Sequence, residues 1–195
     1  MVIFTSDNGP ETTWRQRIEL YGHHSNGIYR EGKRSIYEGG HRVPFLIRWP
    51  DKVKGATQWN EPVCQTDLLA TFAQMLGKKL PENAGEDSDS FYGVLTGTKE
   101  ASSRAPMVHH SSQGRYAIRE GKWKLVMEDA RKNKRELYDL SSDPRETKNL
   151  VTKHPDIERQ LAAKLTALVN NGRSTPGKPQ KNDTPRWRDL VWIKQ

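Results

Sequence analysis

Val2-Ile3-Phe4-Thr5-Ser6-Asp7-Asn8-Gly9 decides how the rest of the chain is read. Its apolar start predicts a short buried strand of the kind that parallel neighbours flank in an α/β sheet, yet no helix or partner strand precedes it. Asp7 and Asn8 fall at the strand's C-terminal end, where open α/β sheets place ligands, and a carboxylate beside an amide oxygen suits a hard divalent cation. Two ligands fall short of the roughly six oxygens such a cation takes, and Asn-Gly is also ordinary turn chemistry.

Working outward, Arg42 to Trp49 (RVPFLIRW), closed by Pro50, predicts a second buried strand, with Pro44 near its start where a missing N–H is tolerated. Residues 9–40 between them are rich in Gly, His, Arg and Asn without helical or strand periodicity, so they read as one long irregular segment. Lys33 lies there among Gly27, Gly32, Gly39 and Gly40, where its ammonium can approach an oxyanion beside exposed backbone N–H groups; by residue type alone it is a solvated lysine. Thr66 or Asp67 can cap a helix with Leu68, Leu69, Phe72, Met75 and Leu76 on one face and Gly77 at its end. Residues 78–105 read as loop, with an acidic patch at Glu86-Asp87-Ser88-Asp89.

From Tyr116 the pattern changes. Tyr116 to Met127 predicts a hairpin about Glu120-Gly121, Glu136 to Leu140 a further strand, and Pro155 a helix with Ile157, Leu161, Leu165, Leu168 and Val169 on one stripe, ending near Gly172. The expected division is residues 1–105 as part of an α/β domain, 106–172 as a small antiparallel sheet with a helix, and 173–195 as a basic, proline-containing, linker-like tail with a sticky end at Trp187 and Leu190 to Ile193.

The 195 residues bound this to about one domain and a small satellite. Mean hydropathy is −0.91, but six Trp, six Tyr and four Phe argue against wholesale disorder. No stretch approaches the roughly 18 to 20 apolar residues of a membrane span, and no basic n-region or h-region marks a signal peptide, so neither anchor nor leader nor membrane partner is expected. Cys64 is the only cysteine, which excludes an internal disulfide or a multi-cysteine zinc site. The net charge of +8 favours anionic partners, but no nucleic-acid motif or paired aromatic platform accompanies it, so nucleic acid is not expected. No histidine pair has the i, i+4 spacing of a zinc hydrolase.

The ordered set of VIFTSDNG, Gly32-Lys33, Tyr37-Glu38-Gly39-Gly40-His41-Arg42-Val43-Pro44-Phe45, Arg48-Trp49-Pro50, Thr66 to Thr71, Tyr116 to Leu125, Glu136 to Leu140, Asp143 to Glu146 and Asn149-Leu150 resembles the type I sulfatase family of the alkaline-phosphatase-like superfamily over roughly residues 2–151. The resemblance implies the C-terminal part of an alkaline-phosphatase-like α/β fold. It also implies calcium ligands at Asp7 and Asn8, a sulfate contact at Lys33, and a sulfate-ester substrate, with a sulfated glycan among the candidates. A cation and an ammonium suit that role, because charge sits on the non-bridging sulfate oxygens and builds on the leaving alcohol oxygen.

The family's nucleophile is a formylglycine made within a C/S-x-P-x-R motif, and that motif is absent from these residues. Cys64 is followed by Gln65-Thr66-Asp67, Ser142 leads to Glu146 where Arg belongs, and Ser174 leads to Lys178. The expected reading is therefore a sulfuric ester hydrolase lacking its formylglycine segment and inactive by itself. The competing expectation is a non-catalytic module that binds sulfated glycans. His109 and His110, placed in the loop before the hairpin, are the candidates for substrate contact. Members of the family are usually periplasmic, secreted or lysosomal.

Overall fold

In a computed structural model, residues 1–98, 104–129, 133–181, 183 and 189–193 are described. Among them, the elements run β1 (Val2–Thr5), α1 (Trp14–Tyr21), α2 (Glu38–His41), β2 (Phe45–Arg48), α3 (Asp67–Met75), α4 (Tyr92–Leu95), β3 (Met107–His110), β4 (Tyr116–Glu120), β5 (Trp123–Val126), β6 (Glu136–Asp139) and α5 (Pro155–Asn171).

The second half builds the larger sheet, an antiparallel meander in the order β3-β4-β5-β6. Gly121, at φ 54°, is the first central residue of the two-residue β4–β5 turn, a conformation that glycine adopts without steric cost. The register places Ile118 opposite Leu125 and Leu125 opposite Leu137. This row forms one face and packs with Met127 against Leu161, Ala162 and Leu165 of α5. Helix α5 starts on Pro155, ends at Gly172 in the left-handed region and buries the expected stripe, with Leu161 and Leu165 each contributing about 1.5–3 kcal/mol by burial. The opposite face carries Ala117, Val126 and Tyr138, and Ile36 and Tyr37 pack on it. The sheet is thus covered by α5 on one side and by the segment leading into α2 on the other.

The first half departs from the sequence reading in several places. Strand β1 pairs with β2 antiparallel, Ile3 opposite Ile47, and the ladder is not buried: Phe4 is 65% exposed and Leu46 57%. A strand of four residues with three apolar ones in a row encodes neither the direction of its partner nor which of its faces is covered. Residues 9–40 are not wholly irregular, because α1 forms there and closes on Gly22 at φ 62°. The sequence does not mark this helix, because it buries no residue and so carries no apolar stripe.

Helix α3 ends as expected, with Gly77 in the left-handed region, but its buried residues are Asp67 and Thr71 and not the apolar stripe. Thr66 makes no side-chain cap. Asp67 instead accepts the Cys64 and Asp89 N–H groups at 2.8 and 3.0 Å and a two-pronged Arg104 guanidinium at 2.7 and 2.8 Å. The stretch 78–105 expected as loop contains α4, and His109 and His110, expected in a loop before the hairpin, lie in β3, whose strand character comes from pairing with β4. Residues 173–175 are not a free linker: the Ser174 N–H donates to Asp87 at 2.9 Å and the Thr175 hydroxyl to the Glu86 carbonyl at 2.7 Å, which ties the tail to the acidic patch. Trp187 lies outside the described residues, whereas Trp192 packs on Tyr116 with ring centroids 5.3 Å apart.

Candidate functional site

The loop after β1 and the segment from Arg30 to α2 interlock backbone against backbone. The Gly9 N–H donates to the Gly40 carbonyl at 3.0 Å, the Lys33 N–H to the Pro10 carbonyl at 2.9 Å, and the Gly39 N–H to the Arg30 carbonyl at 2.9 Å. A Cβ on Gly9 would overlap the Gly39 carbonyl, and one on Gly39 would overlap the carbonyls of Arg30 and Glu31, so these approaches exist only because both residues lack side chains. The consequence is positional: Lys33 is held against the segment that directly follows Asp7 and Asn8.

Asp7 is exposed and Asn8 half-buried. The Asn8 amide nitrogen donates to the Gly9 carbonyl at 3.0 Å, which leaves its Oδ1 as an acceptor beside the Asp7 carboxylate. Gln65, ahead of α3, braces this strand end by donating to Thr5 Oγ1 at 3.2 Å and to the Ser6 carbonyl. Among the described residues no group of three or more His, Cys, Asp or Glu side chains converges as a metal set.

Lys33 lies 3.2 Å from a carboxylate oxygen of Glu11, and Arg34 grips the same carboxylate at 2.5 Å. Arg34 first, then the Thr12 N–H and Lys33, hold the Glu11 carboxyl well below the usual carboxylate range. Two non-glycine residues around Lys33 are left-handed, Glu31 at φ 60° and Arg34 at φ 75°, a conformation that costs energy and persists where neighbours impose it. The neighbours here are the Ser35 hydroxyl on the Glu31 carboxylate and the Ser112 N–H on the Arg34 carbonyl at 3.2 Å.

A buried ionic cluster ties this loop to the larger sheet. Lys124 of β5 is fully buried, with its ammonium 3.0 Å from Glu38 and 2.9 Å from Glu146. Glu146 also accepts the Glu38 backbone N–H at 2.6 Å, and Arg119 lies 3.2 Å from the second Glu38 oxygen. Burial alone would raise the Glu38 carboxyl, but Lys124 and Arg119 outweigh it and hold the group low; at Glu146 burial prevails and pushes it up. Arg30 reinforces the tie by donating to Tyr138 at 3.1 Å and to the Glu146 carbonyl at 2.9 Å.

The histidines separate. His109 stacks on His41 of α2, ring centroids 4.7 Å apart, whereas His110 stacks on Tyr116 at 4.2 Å. Neighbours in a strand point to opposite faces, so only His109 turns toward the segment that carries Lys33. Burial, then the nearby Lys124 charge, lower His41 to about 4 and His109 well below its ordinary value, which keeps both rings neutral. Glu11, Glu38, Lys124 and Gln65 were absent from the sequence reading as site residues. Glu38 and Lys124 had a visible signal, as members of the Glu-Gly-Gly motif and of the Tyr116 to Leu125 motif.

A family model described as N-sulphoglucosamine sulphohydrolase, C-terminal, matches residues 26–171. The chain is 38% identical over 185 residues to an N-acetylgalactosamine-6-O-sulfatase of Bacteroides thetaiotaomicron, covering 86% of this chain and 36% of that protein. It is 34% identical over 176 residues to human arylsulfatase A, covering 77% and 33%. A solved structure from work on glycosaminoglycan metabolism by Bacteroides thetaiotaomicron superposes with TM-score 0.74 at 36% identity, over 86% of this chain and 38% of that one. The chain therefore spans about a third of the length of the curated relatives it matches.

Proposed function

Because this chain belongs to the type I sulfatase family, we propose that it is the C-terminal part of a calcium-dependent sulfuric ester hydrolase acting on a sulfated glycan. Its architecture is that of the C-terminal portion of the alkaline-phosphatase-like sulfatase fold. The observation that supports the proposal is the glycine interlock, which pins the Lys33 backbone to Pro10, two residues after Asn8, with the Lys33 ammonium on Glu11.

In this reading the Lys33 ammonium binds a non-bridging sulfate oxygen and offsets its charge. Glu11 keeps Lys33 oriented before substrate arrives, and an incoming sulfate exchanges for that carboxylate at an exposed ion pair, which is weakly held. Asp7 and Asn8 suit a hard cation, because among the described residues the exposed carboxylate and the Asn8 Oδ1 are oxygen donors without a hydrogen-bond or ion-pair partner, and they would supply two of its ligands. Calcium, when bound, would supply fixed positive charge to the sulfate oxygens. His109, stacked on His41, would be the histidine that meets substrate on the Lys33 side, and His110 would meet a ligand only on the other face.

The chain holds no C/S-x-P-x-R motif, so the formylglycine would come from the N-terminal part of such an enzyme, and the chain by itself is expected to turn nothing over. The test is to fuse these residues behind the N-terminal part of the Bacteroides relative and assay an aryl sulfate with and without calcium. Calcium-dependent turnover, reduced roughly a hundredfold or more by Lys33→Ala, is expected. Turnover by the unfused chain, or a Lys33→Ala fusion at full rate, contradicts the proposal. A folded fusion that binds sulfated glycan without turnover identifies a binding module instead.

A further inference from the structure

Beside Lys33 a cleft of about 360 Å³ opens between the start of α1 and the β3–β4 turn. It is small for a ligand site, the size for one sugar ring and its substituents and not for an oligosaccharide. Four features of its wall point to one kind of occupant.

Trp14 packs its indole edge over Gly32, where a Cβ would come within 2.7 Å of Nε1, and that N–H has no hydrogen-bond partner among the described residues. Arg15 sets its guanidinium 4.8 Å from the Trp14 ring centroid, is exposed, and forms no ion pair among the described residues. Gln113, exposed at the β3–β4 turn, likewise has an amide side chain without a partner there. Arg34 already receives a carboxylate in fork geometry, with its two terminal nitrogens 2.5 and 3.4 Å from the Glu11 oxygens. The two left-handed residues, Glu31 and Arg34, both line the cleft, and the Ser112 contact fixes Arg34 from across it. An aromatic wall suits the C–H face of a pyranose, a free amide and an indole N–H suit its hydroxyls, and two guanidinium groups suit an anionic substituent.

We propose that this cleft binds the sugar residue adjacent to the sulfated one, and that this residue is acidic, with its ring along Trp14 and its carboxylate toward Arg15 and Arg34. The proposal rests on the reading of Lys33 as the sulfate contact, since Lys33 lines the cleft and the scissile group would then lie beside it.

The test is calorimetric titration of the 195-residue chain with three probes: N-acetylgalactosamine 6-sulfate, a chondroitin 6-sulfate tetrasaccharide, and the same tetrasaccharide with its uronates reduced to alcohols. The unmodified tetrasaccharide should bind roughly tenfold more tightly than either other probe, about 1.4 kcal/mol. Trp14→Ala and Arg15→Ala should each remove at least roughly half of that advantage on a free-energy scale. Arg15 is exposed, so its variant folds even where Trp14→Ala does not. Equal binding of all three probes, or an advantage that survives both variants, overturns the proposal. Lys33→Ala should weaken the sulfated probes together and leave their ratio alone. If it leaves both untouched while Arg15→Ala still lowers the ratio, the sulfate role of Lys33 fails and the acidic-sugar subsite stands.

Discussion

The sheet β3–β6 with α5 and the ladder β1–β2 with its glycine-locked loop are held by different forces. The first buries a continuous apolar row against a seventeen-residue helix, from contacts close in sequence. The second leaves Val2, Phe4 and Leu46 exposed and relies on backbone hydrogen bonds, an exposed ion pair and a buried ionic tie to the first. The candidate site belongs to the less self-sufficient region. Its geometry is therefore on loan from the sheet, through Lys124, Glu38 and Glu146.

Lys124→Met tests that dependence most severely. It removes the ammonium that both buried carboxylates share, leaving Glu38 its Arg119 contact and Glu146 no ion-pair partner among the described residues, and a loss of about 3–5 kcal/mol in urea unfolding is expected, with most of it recovered when Glu38→Gln and Glu146→Gln are added. A loss under about 1 kcal/mol would mean that the apolar contacts of Ile36 and Tyr37 and the Arg30 hydrogen bonds hold the regions together without the ionic cluster.

The contrast in cores is checked by paired truncations. Leu165→Ala should cost about 2–5 kcal/mol, because the side chain is fully buried and its cavity cannot collapse, whereas Leu46→Ala on the exposed ladder should stay within about 0.5 kcal/mol. Similar costs at both positions would erase the distinction between the regions.

Gly9→Ala should cost about 1–3 kcal/mol or more, since the new methyl group meets a backbone carbonyl that cannot step aside. Hydrogen exchange should show the loss of protection at Gly39 and Gly40 while α5 keeps its own; equal loss in α5 would show the two regions unfolding as one.

The smallest effect is a pH dependence carried by His41 and His109. Both are held neutral in the folded chain with lowered pKa, so the unfolded chain takes up protons first as pH falls. Their contribution is complete above the unfolded value near 6.5 and declines as pH falls from there toward about 4. His41 should contribute on the order of 1 kcal/mol of lost stability between pH 7 and 5.5, and His41→Gln should flatten that slope in urea titrations.

How much of this was legible depended on whether the signal was local. The hairpin about Gly121, helix α5 between Pro155 and Gly172, and the end of α3 at Gly77 could be read because each is set by caps, turn chemistry or a single stripe. Helix α1 could not, because it buries nothing, nor could β3, whose strand character is lent by β4. The motif order through Asp7, Asn8, Lys33 and the Glu-Gly-Gly step placed the chain in its family, since order and spacing are properties of the sequence alone.

What only the tertiary structure decided are the partners: Glu11 on Lys33 and Arg34, Lys124 between Glu38 and Glu146, His41 stacked on His109, and the antiparallel sense of β1 and β2. The Glu38 contacts with Lys124 and Glu146 join positions 86 and 108 residues apart. Periodicity and caps act over one or two turns, so they carry no record of which buried charge will meet which; that is settled only when burial removes water and leaves each group the partners within reach.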